Sequence, residues 1–525
     1  MFLLYHTLLV RTLLLLITLS GPSLGNHAGR FAHRRHVLGS ADHALFSRST
    51  AAFHPRDDCE PRDPLNTLTD RLNVLLNSSG PGYTLPLCPG VQYIIQAPIL
   101  FAAPDQEIST VGYPTGDERA TLLVDGPVAN GQGHTTAVDG TCSNCSGVKL
   151  RYVQTTAVLT RPKTQINGTR LGAPPTSGGA NIEMGGSNAN QLIEHVRSFD
   201  PRSWSCLHVS EGAFSCINAT VQHNDIGPCG SDQFQQWADG ISVSCQNSLV
   251  HNNTVNNPTD GGIVLFGAPG TLVENNTIWV ETMTLLGGIN MVDYEPWKGN
   301  YTNTIVRNNL IYGGFATDPA QAGETKGEND DDVIIKIGIA IGPRTWFGDK
   351  YLNNVSSSGT VLDNRLSGAF GYGIAISSAV NFTVAGNTLI DNTSFIGSRG
   401  PNCSSTDTTP SPAPFVEDQS TVQSSTILGD FQTIPDGNSL TCILPPSGGD
   451  YWPFGGNPSP TPSSSSPTSS STGTSPSRSS MSHGLSGGAK VGIAVGVILG
   501  VGAVAAATYF IRKAAIWRAQ KAGRY

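Results

Sequence analysis

The chain has 525 residues and a formal net charge of −8; 13% of its residues are charged, 38% are hydrophobic and 60 are glycine. That balance gives no electrostatic basis for nucleic-acid binding and suits a β-rich chain with many turns and little helix. Acidic polysaccharides stay open as ligands, because a local cationic cleft suffices to hold them.

Residues 1–25 read as a signal peptide: Arg11 precedes the apolar run Leu13 to Leu19, and small residues follow at Gly21, Ser23 and Gly25. Residues 26–57 form a basic, flexible leader whose Arg34-Arg35 pair suits a dibasic-cutting protease, though an untrimmed leader fits equally well. Beyond it, Leu65, Leu68, Leu72, Leu75 and Leu76 follow helical spacing. The break Gly80-Pro81-Gly82 and a β-like run over 87–101 come next. An amphipathic helix leading into strands would cover the open N-terminal end of a solenoid, whose unpaired edge invites aggregation.

Between 190 and 390 a nine-residue pattern recurs: NATVQHNDI (218–226), NSLVHNNTV (247–255), GTLVENNTI (270–278), NTIVRNNLI (303–311), GTVLDNRLS (359–367) and NFTVAGNTL (381–389), with a divergent copy at Asn190. A second pattern interleaves with it. Gly240-Ile241, Gly262-Ile263, Gly288-Ile289, Gly338-Ile339 and Gly373-Ile374 are each followed, two residues after the Ile, by Val243, Leu265, Met291, Ile341 or Ile376. Two strand types alternating every 22–35 residues describe the turns of a parallel β-helix. Inward Ile and Val then stack into one core, while Ser242, Asn290 and Ala340 are expected on the exposed face. Asn224, Asn253, Asn276, Asn309 and Asn387 fit a turn with left-handed backbone, and their amides can bond along the axis. A sandwich or propeller of hairpins fits less well, because two-residue Asn-Gly or Asp-Gly turns do not recur between the strands. The long gap from Gly288 to Gly338 implies an insertion at 315–333 carrying the acidic run Glu328 to Asp332.

The β-helix ectodomain is expected over 58–455, followed by a Ser/Pro/Thr-rich, O-glycosylated stalk over 456–488. A membrane span is expected over 489–511, where Val491 to Ile511 gives 21 uncharged residues. The basic tail 512–525 carries Arg512, Lys513, Arg518, Lys521 and Arg524, which places it in the cytoplasm and the large domain outside. A glycolipid-anchor signal would end in its apolar tail, so the basic extension argues for a true span. Gly492, Gly496 and Gly500 share one helix face, a place for homodimer packing.

Ten cysteines suit an oxidising compartment, and the Cys142-x-x-Cys145 pair reads as a disulfide element rather than a zinc site. N-glycosylation sequons stand at Asn77, Asn144, Asn167, Asn218, Asn252, Asn275, Asn300, Asn354, Asn381, Asn392 and Asn402, with none in the stalk or tail.

On these repeats the chain resembles right-handed parallel β-helix proteins of the pectin-lyase-like superfamily, in particular a fungal, membrane-anchored type marked by short repeats; the likeness covers about residues 60–400. The resemblance implies cleavage, epimerisation or binding of extracellular polysaccharide at an outward groove, and a place at the plasma membrane or cell surface. Polygalacturonase-type members carry Asn-Thr-Asp, Asp-Asp, Gly-His-Gly and Arg-Ile-Lys motifs. This chain has Pro258-Thr259-Asp260 and Ile335-Lys336-Ile337 but no Gly-His-Gly, which argues against that activity.

Asp239 and Asp260 precede the Gly-Ile strands of adjacent turns, Asp293 ends the strand of the next, and Glu295 stands beside it. Carboxylates one turn apart would be spaced about as a retaining glycosidase needs, near 5 Å, and two turns apart near the inverting range of about 6.5–9.5 Å. Asp before Gly is equally a good turn former. A lyase would instead use Lys336 or Arg344 to abstract a proton, with Ca²⁺ or a cation neutralising the uronate. His223, Asp225 and Trp237, within one loop near Asp239, and Trp346 are expected to bind sugar. No metal site or resident cofactor is expected otherwise. The function these residues suggest is action on wall or environmental polysaccharide by hydrolysis or elimination; a non-catalytic carbohydrate-binding or adhesive surface protein is the alternative.

Overall fold

A computed structural model of the chain describes residues 59–157, 175–231, 236–314, 333–398, 410–438 and 440–441. The expected signal peptide, leader, stalk, membrane span with its glycine stripe, basic tail, nearly all of the 315–333 insertion, and Asn167 and Asn402 lie outside these residues. Among the described residues no helix is long and apolar enough to cross a membrane.

Each turn of the chain contributes three short strands. One turn runs Leu249–His251 on face 1, Thr254–Asn256 on face 2 and Gly261–Leu265 on face 3. Each strand pairs in parallel with its counterpart one turn later, at Leu272–Glu274, Thr277–Trp279 and Leu285–Met291. Among the described residues face 1 forms an 11-stranded sheet. Faces 2 and 3 join through the long strand Arg365–Ile376, which pairs with strands of both. Among the described residues the antiparallel pairings are a small hairpin, Val128–Ala129 with Gln132–Gly133, and a single bridge between Gly230 and Trp237.

Parallel register follows from the repeat, since equal spacing puts like residues in the same column. Val221, Val250, Val273, Val306, Val361 and Val384 line up inside face 1, all fully buried. Ile241, Ile263, Ile289, Ile339 and Ile374 do so inside face 3. The glycine before each of these isoleucines points inward where faces 2 and 3 meet. A Cβ on Gly288 would lie 2.4 Å from the Gly338 carbonyl and 3.1 Å from Ile311 Cγ2. The Gly-Ile signature is therefore a packing requirement. Gly288→Ala is expected to cost about 1–3 kcal/mol, as overpacking typically does, measured as a lower urea midpoint with an unchanged slope.

The helix α1, Leu68–Ser79, ends at Gly80 with φ +77° and buries Leu68, Leu72 and Leu76 in the main core; Leu65, expected on the same face, is 47% exposed in the preceding turn. Its polar residues meet the backbone of the first turn. Asn73 accepts from the Leu100 amide (2.8 Å) and donates to the Pro98 carbonyl (3.0 Å), and Thr69 Oγ1 accepts from the Gln96 amide (3.0 Å). The helix thus satisfies edge groups as well as covering apolar surface. Disulfides join Cys59–Cys88, Cys142–Cys145, Cys206–Cys229 and Cys216–Cys245.

The corner between faces 1 and 2 corrects one expectation. The left-handed residues are His223, Asn252, Asn275, Asn308 and Gly386, each one position before an asparagine named above, and Asp363, one before Asn364. Those asparagines point inward and form a ladder joined by Asn364: each Nδ2 donates to the next Oδ1 at 2.9 Å from Asn224 through Asn387.

Outside the same corner, rings line up turn on turn: Tyr152–His195 stacked at 4.6 Å, His195–His223 stacked at 5.2 Å and His223–His251 tilted at 5.4 Å. Burial, with Arg119, Arg151 and His223 outweighing Glu194, holds His195 below the usual imidazole range; burial and His223 outweigh Glu274 and do the same for His251. A depressed folded-state pKa gives stability that is present above the unfolded value, about 6.5, and lost as pH falls through the folded one. The stability difference between wild type and His195→Phe, which keeps the stack without the charge, should therefore shift in favour of the variant between pH 7.5 and 5. Thermal melts across that range check this.

Candidate functional site

The outward side of face 3 carries the chemistry. Two columns run along it, and register fixes their members. One contains Ser205, Asp239, Gly261, Gly287 and Ile337; the other contains Asp139, Glu183, His208, Ser242, Val264, Asn290 and Ala340. Successive members stand about 4.8 Å apart along the axis.

Asp239 is 6% exposed at the start of strand Asp239–Val243. Its Oδ2 accepts from Ser242 Oγ (2.9 Å) and its Oδ1 from the Gly261 amide one turn on (2.9 Å). Ser242 Oγ also lies 3.0 Å from Ser205 Oγ. Burial, then the Asp260 and Asp293 carboxylates, push the Asp239 carboxyl well above the usual carboxylate range, against the opposing bonds from Ser242 and Gly261. Like charges in a desolvated place resist ionising together, and the proton on Asp239 is favoured accordingly. A carboxyl whose pKa is raised in this way, with other carboxyls near it, is a candidate general acid.

Two glycines let neighbouring side chains pack closely beside Asp239: a Cβ on Gly261 would lie 2.1 Å from Val264 Cγ2 and 2.8 Å from Asn290 Nδ2, and one on Gly287 would lie 2.0 Å from Asn290 Oδ1 and 2.7 Å from Trp346 Cζ3. Asn290 is 2% exposed, and its Oδ1 has no hydrogen-bond partner among the described residues.

The expected exposure of this face is corrected: Ser242, Asn290 and Ala340 are all buried. A second apolar cluster, with Ile337, Tyr372, Ala375, Val416 and Trp346, covers the later turns from outside. Trp346 belongs to the short helix α2, Arg344–Phe347, and its ring packs in this cover, 7% exposed. Arg344 sits 3.6 Å from Asp418 and 3.5 Å from Asp436, tying α2 to the last described turns. Lys336 is 1% exposed and, by the register on either side, shares a column with Leu286 and Asp260. Asp260 directly precedes Gly261, and Asp293 and the exposed Glu295 lie in the loop after strand Leu285–Met291. Trp237, half-buried, packs against the outer cluster close to Asp239. His223 and Asp225 are not brought to this face. His223 stands in the corner between faces 1 and 2, and Asp225 lies on face 2, where its carboxylate accepts from Arg119 at 2.9 Å. The chain turns a full corner between them and Asp239, which closeness in sequence conceals.

The structure adds residues that the repeats did not point to. His208 Nδ1 lies 2.8 Å from Glu183 Oε2. Burial pulls the imidazole down, but the charge and hydrogen bond of Glu183 outweigh it and raise its pKa. Trp204 and Phe266 flank this ring edge-on at 4.9 and 6.5 Å. Further along, Phe214 meets Trp297 at 5.0 Å and Tyr294 meets Tyr351 at 5.4 Å. Aromatics bordering a few convergent polar groups are typical of a ligand site. A signal existed: Ile-Glu-Met (182–184) and Leu-His-Val (207–209) place a polar residue between two inward ones. These strands precede the regular repeats.

Residues 205–323 match the family model described as a right handed beta helix region, and with the parallel architecture this defines the class: a right-handed parallel β-helix. Curated proteins yield no match. Similar solved structures include an alginate lyase from Paenibacillus sp. (13% identity, TM-score 0.37, covering 62% of this chain and 95% of that one). Another is a DFA-IIIase from Arthrobacter chlorophenolicus A6 (14%, 0.40, 69% and 89%). A third is the Streptococcus pneumoniae surface protein and adhesin PfbA (12%, 0.40, 71% and 93%).

Proposed function

We propose that the chain is a membrane-tethered extracellular enzyme that cleaves glycosidic bonds of wall or environmental polysaccharide on face 3. The buried Asp239, whose carboxyl is raised by burial and by the Asp260 and Asp293 carboxylates, carries this reading. Asp239 would give its proton to the leaving oxygen, while a neighbouring carboxylate activates water or attacks the sugar carbon. Elimination is the other chemistry of the same class; there Lys336 would be the base and Ca²⁺ the neutralising ion.

The sequons support the choice of face. Among the described sequons only Asn392 lies on a strand that reaches face 3, Thr388–Phe395 near the end of the described turns, whereas Asn252 and Asn275 stand exposed at the corner of faces 1 and 2, and Asn218 and Asn381 before face 1. Glycans there would leave the acidic face open. The proposed location is the plasma membrane, reached through the secretory pathway, with a homodimer held by the Gly492/Gly496/Gly500 stripe.

The purified full-length chain, incubated with a panel of glucans, fructans and uronans, should release reducing ends without forming unsaturated, ultraviolet-absorbing products. Binding without turnover would leave a carbohydrate-binding or adhesive protein in its place. Neither binding nor turnover on any polymer would remove the proposal.

A further inference from the structure

Resting on the extracellular part of that reading, we infer that the chain's own N-linked glycans at Asn218, Asn252, Asn275 and Asn381 lie over face 1 and close it to other macromolecules. The strands of face 1 are parallel and in register. Leu249, Leu272 and Ile305 therefore form an outward apolar column over three successive turns, with Thr220 before it and Thr360 and Thr383 after it. All six are half-buried except Thr383, which is exposed. The next outward column is polar but paired within itself. His251 Nε2 lies 2.7 Å from Gln222 Oε1, and Arg307 Nε donates to Glu274 Oε2 at 2.8 Å. A sheet face that is apolar along one line and self-paired along the next invites a second sheet to pack on it.

The sequons stand where they can cover this strip. At both of its edges the chain turns through a left-handed residue. At four of the described turns that residue is a sequon asparagine, with φ +61° at Asn218, +55° at Asn252 and Asn275, and +59° at Asn381. The residue after Asn218, Asn252, Asn275 and Asn381 points inward and is buried (Ala219, Asn253, Asn276 and Phe382), while the asparagine itself is exposed. The Nδ2 contacts of Asn218, Asn252 and Asn381 are exposed as well. Asn252 and Asn275 directly follow Leu249–His251 and Leu272–Glu274, the strands that carry the apolar column. Asn218 and Asn381 stand on the opposite edge, two residues before Thr220–Gln222 and Thr383–Ala385. A three-residue strand is about 10 Å long and turns repeat about every 4.8 Å, so glycans rooted on both edges meet across the strip. An N-acetylglucosamine unit has an apolar ring face and an acetyl methyl to set against leucine, and hydroxyls to leave in water.

The test reads coverage directly. Full-length chain is made in a eukaryotic secretory host, and the occupancy of each sequon is read by mass spectrometry of its glycopeptides. The folded protein is then labelled with hydroxyl radicals before and after enzymatic removal of the glycans. Labelling of Leu249, Leu272 and Ile305 should rise several-fold on removal, while Trp204 and Phe266 beside face 3 should not change. Thr254→Ala with Thr277→Ala ends two sequons without altering their left-handed asparagines, and should raise labelling of Leu249 and Leu272 before any enzyme is added. Thr254→Ser with Thr277→Ser keeps both sequons and should not. Equal labelling with the glycans present and removed would overturn the inference and leave an extracellular polysaccharide-active protein standing. Secretion of the chain with these four sites empty would do the same. A chain that never enters the secretory pathway would overturn both.

Discussion

Asp239→Asn is expected to lower turnover by about 10²–10⁴-fold, the usual contribution of a general acid, while leaving the protein at least as stable at neutral pH. The two halves have one cause. Asn copies the neutral carboxyl in shape, with its Oδ1 able to accept from the Gly261 amide and its Nδ2 to donate to Ser242 Oγ, but it cannot give up a proton. For stability the sign follows from linkage. A folded-state pKa above the unfolded one, about 3.9, means that the folded protein holds the extra proton between the two values, so stability falls as pH rises through that window. The variant has no such proton, so its melting temperature should drop less from pH 4 to pH 8 than that of wild type. Activity assays and melts on the same preparations check both halves. An unchanged rate would make Asp239 a turn former only; a lower melting temperature at pH 8 would mean that it is ionised and structurally required.

Asn276→Ala should cost about 3–6 kcal/mol, the largest single loss we expect from a polar residue. Asn276 donates to the Val250 carbonyl and to Asn309 Oδ1, and its Oδ1 accepts from the amide and Nδ2 of Asn253. Truncation leaves several buried groups unmet at about 1–3 kcal/mol each. Asn275→Ala, one residue earlier, removes no inward bond and should cost only the left-handed strain, about 1–2 kcal/mol. Urea unfolding of the two variants side by side measures the contrast. Equal losses would mean that the ladder adds nothing beyond the turn.

That one-residue distinction marks how far the sequence is readable here. The inward columns are legible because Val, Ile and Leu recur at fixed spacing, and the helix α1 because its leucines follow a 3.6-residue period. The asparagine pattern is equally visible, yet its position in the turn is not: the left-handed site admits His223, Asp363 and Gly386 as readily as Asn, so it leaves no single-letter trace. The burial of Ala340 could not be read from the repeat, because its outer cluster includes Trp346 of α2 and Ala413 and Val416, far along the chain. Asp239 and Asp260 were visible as Asp before Gly. What raises the pKa of Asp239 is burial and charge from other turns, a property of packing. His208 and Glu183 escaped because their strands lie ahead of the regular repeats.

A crystal of the protein soaked with an oligosaccharide that it binds addresses the account most directly. Sugar rings should lie along the outer surface of face 3, with a glycosidic oxygen within hydrogen-bond reach of Asp239. Sugar ordered on face 1 or at the aromatic corner instead would contradict it.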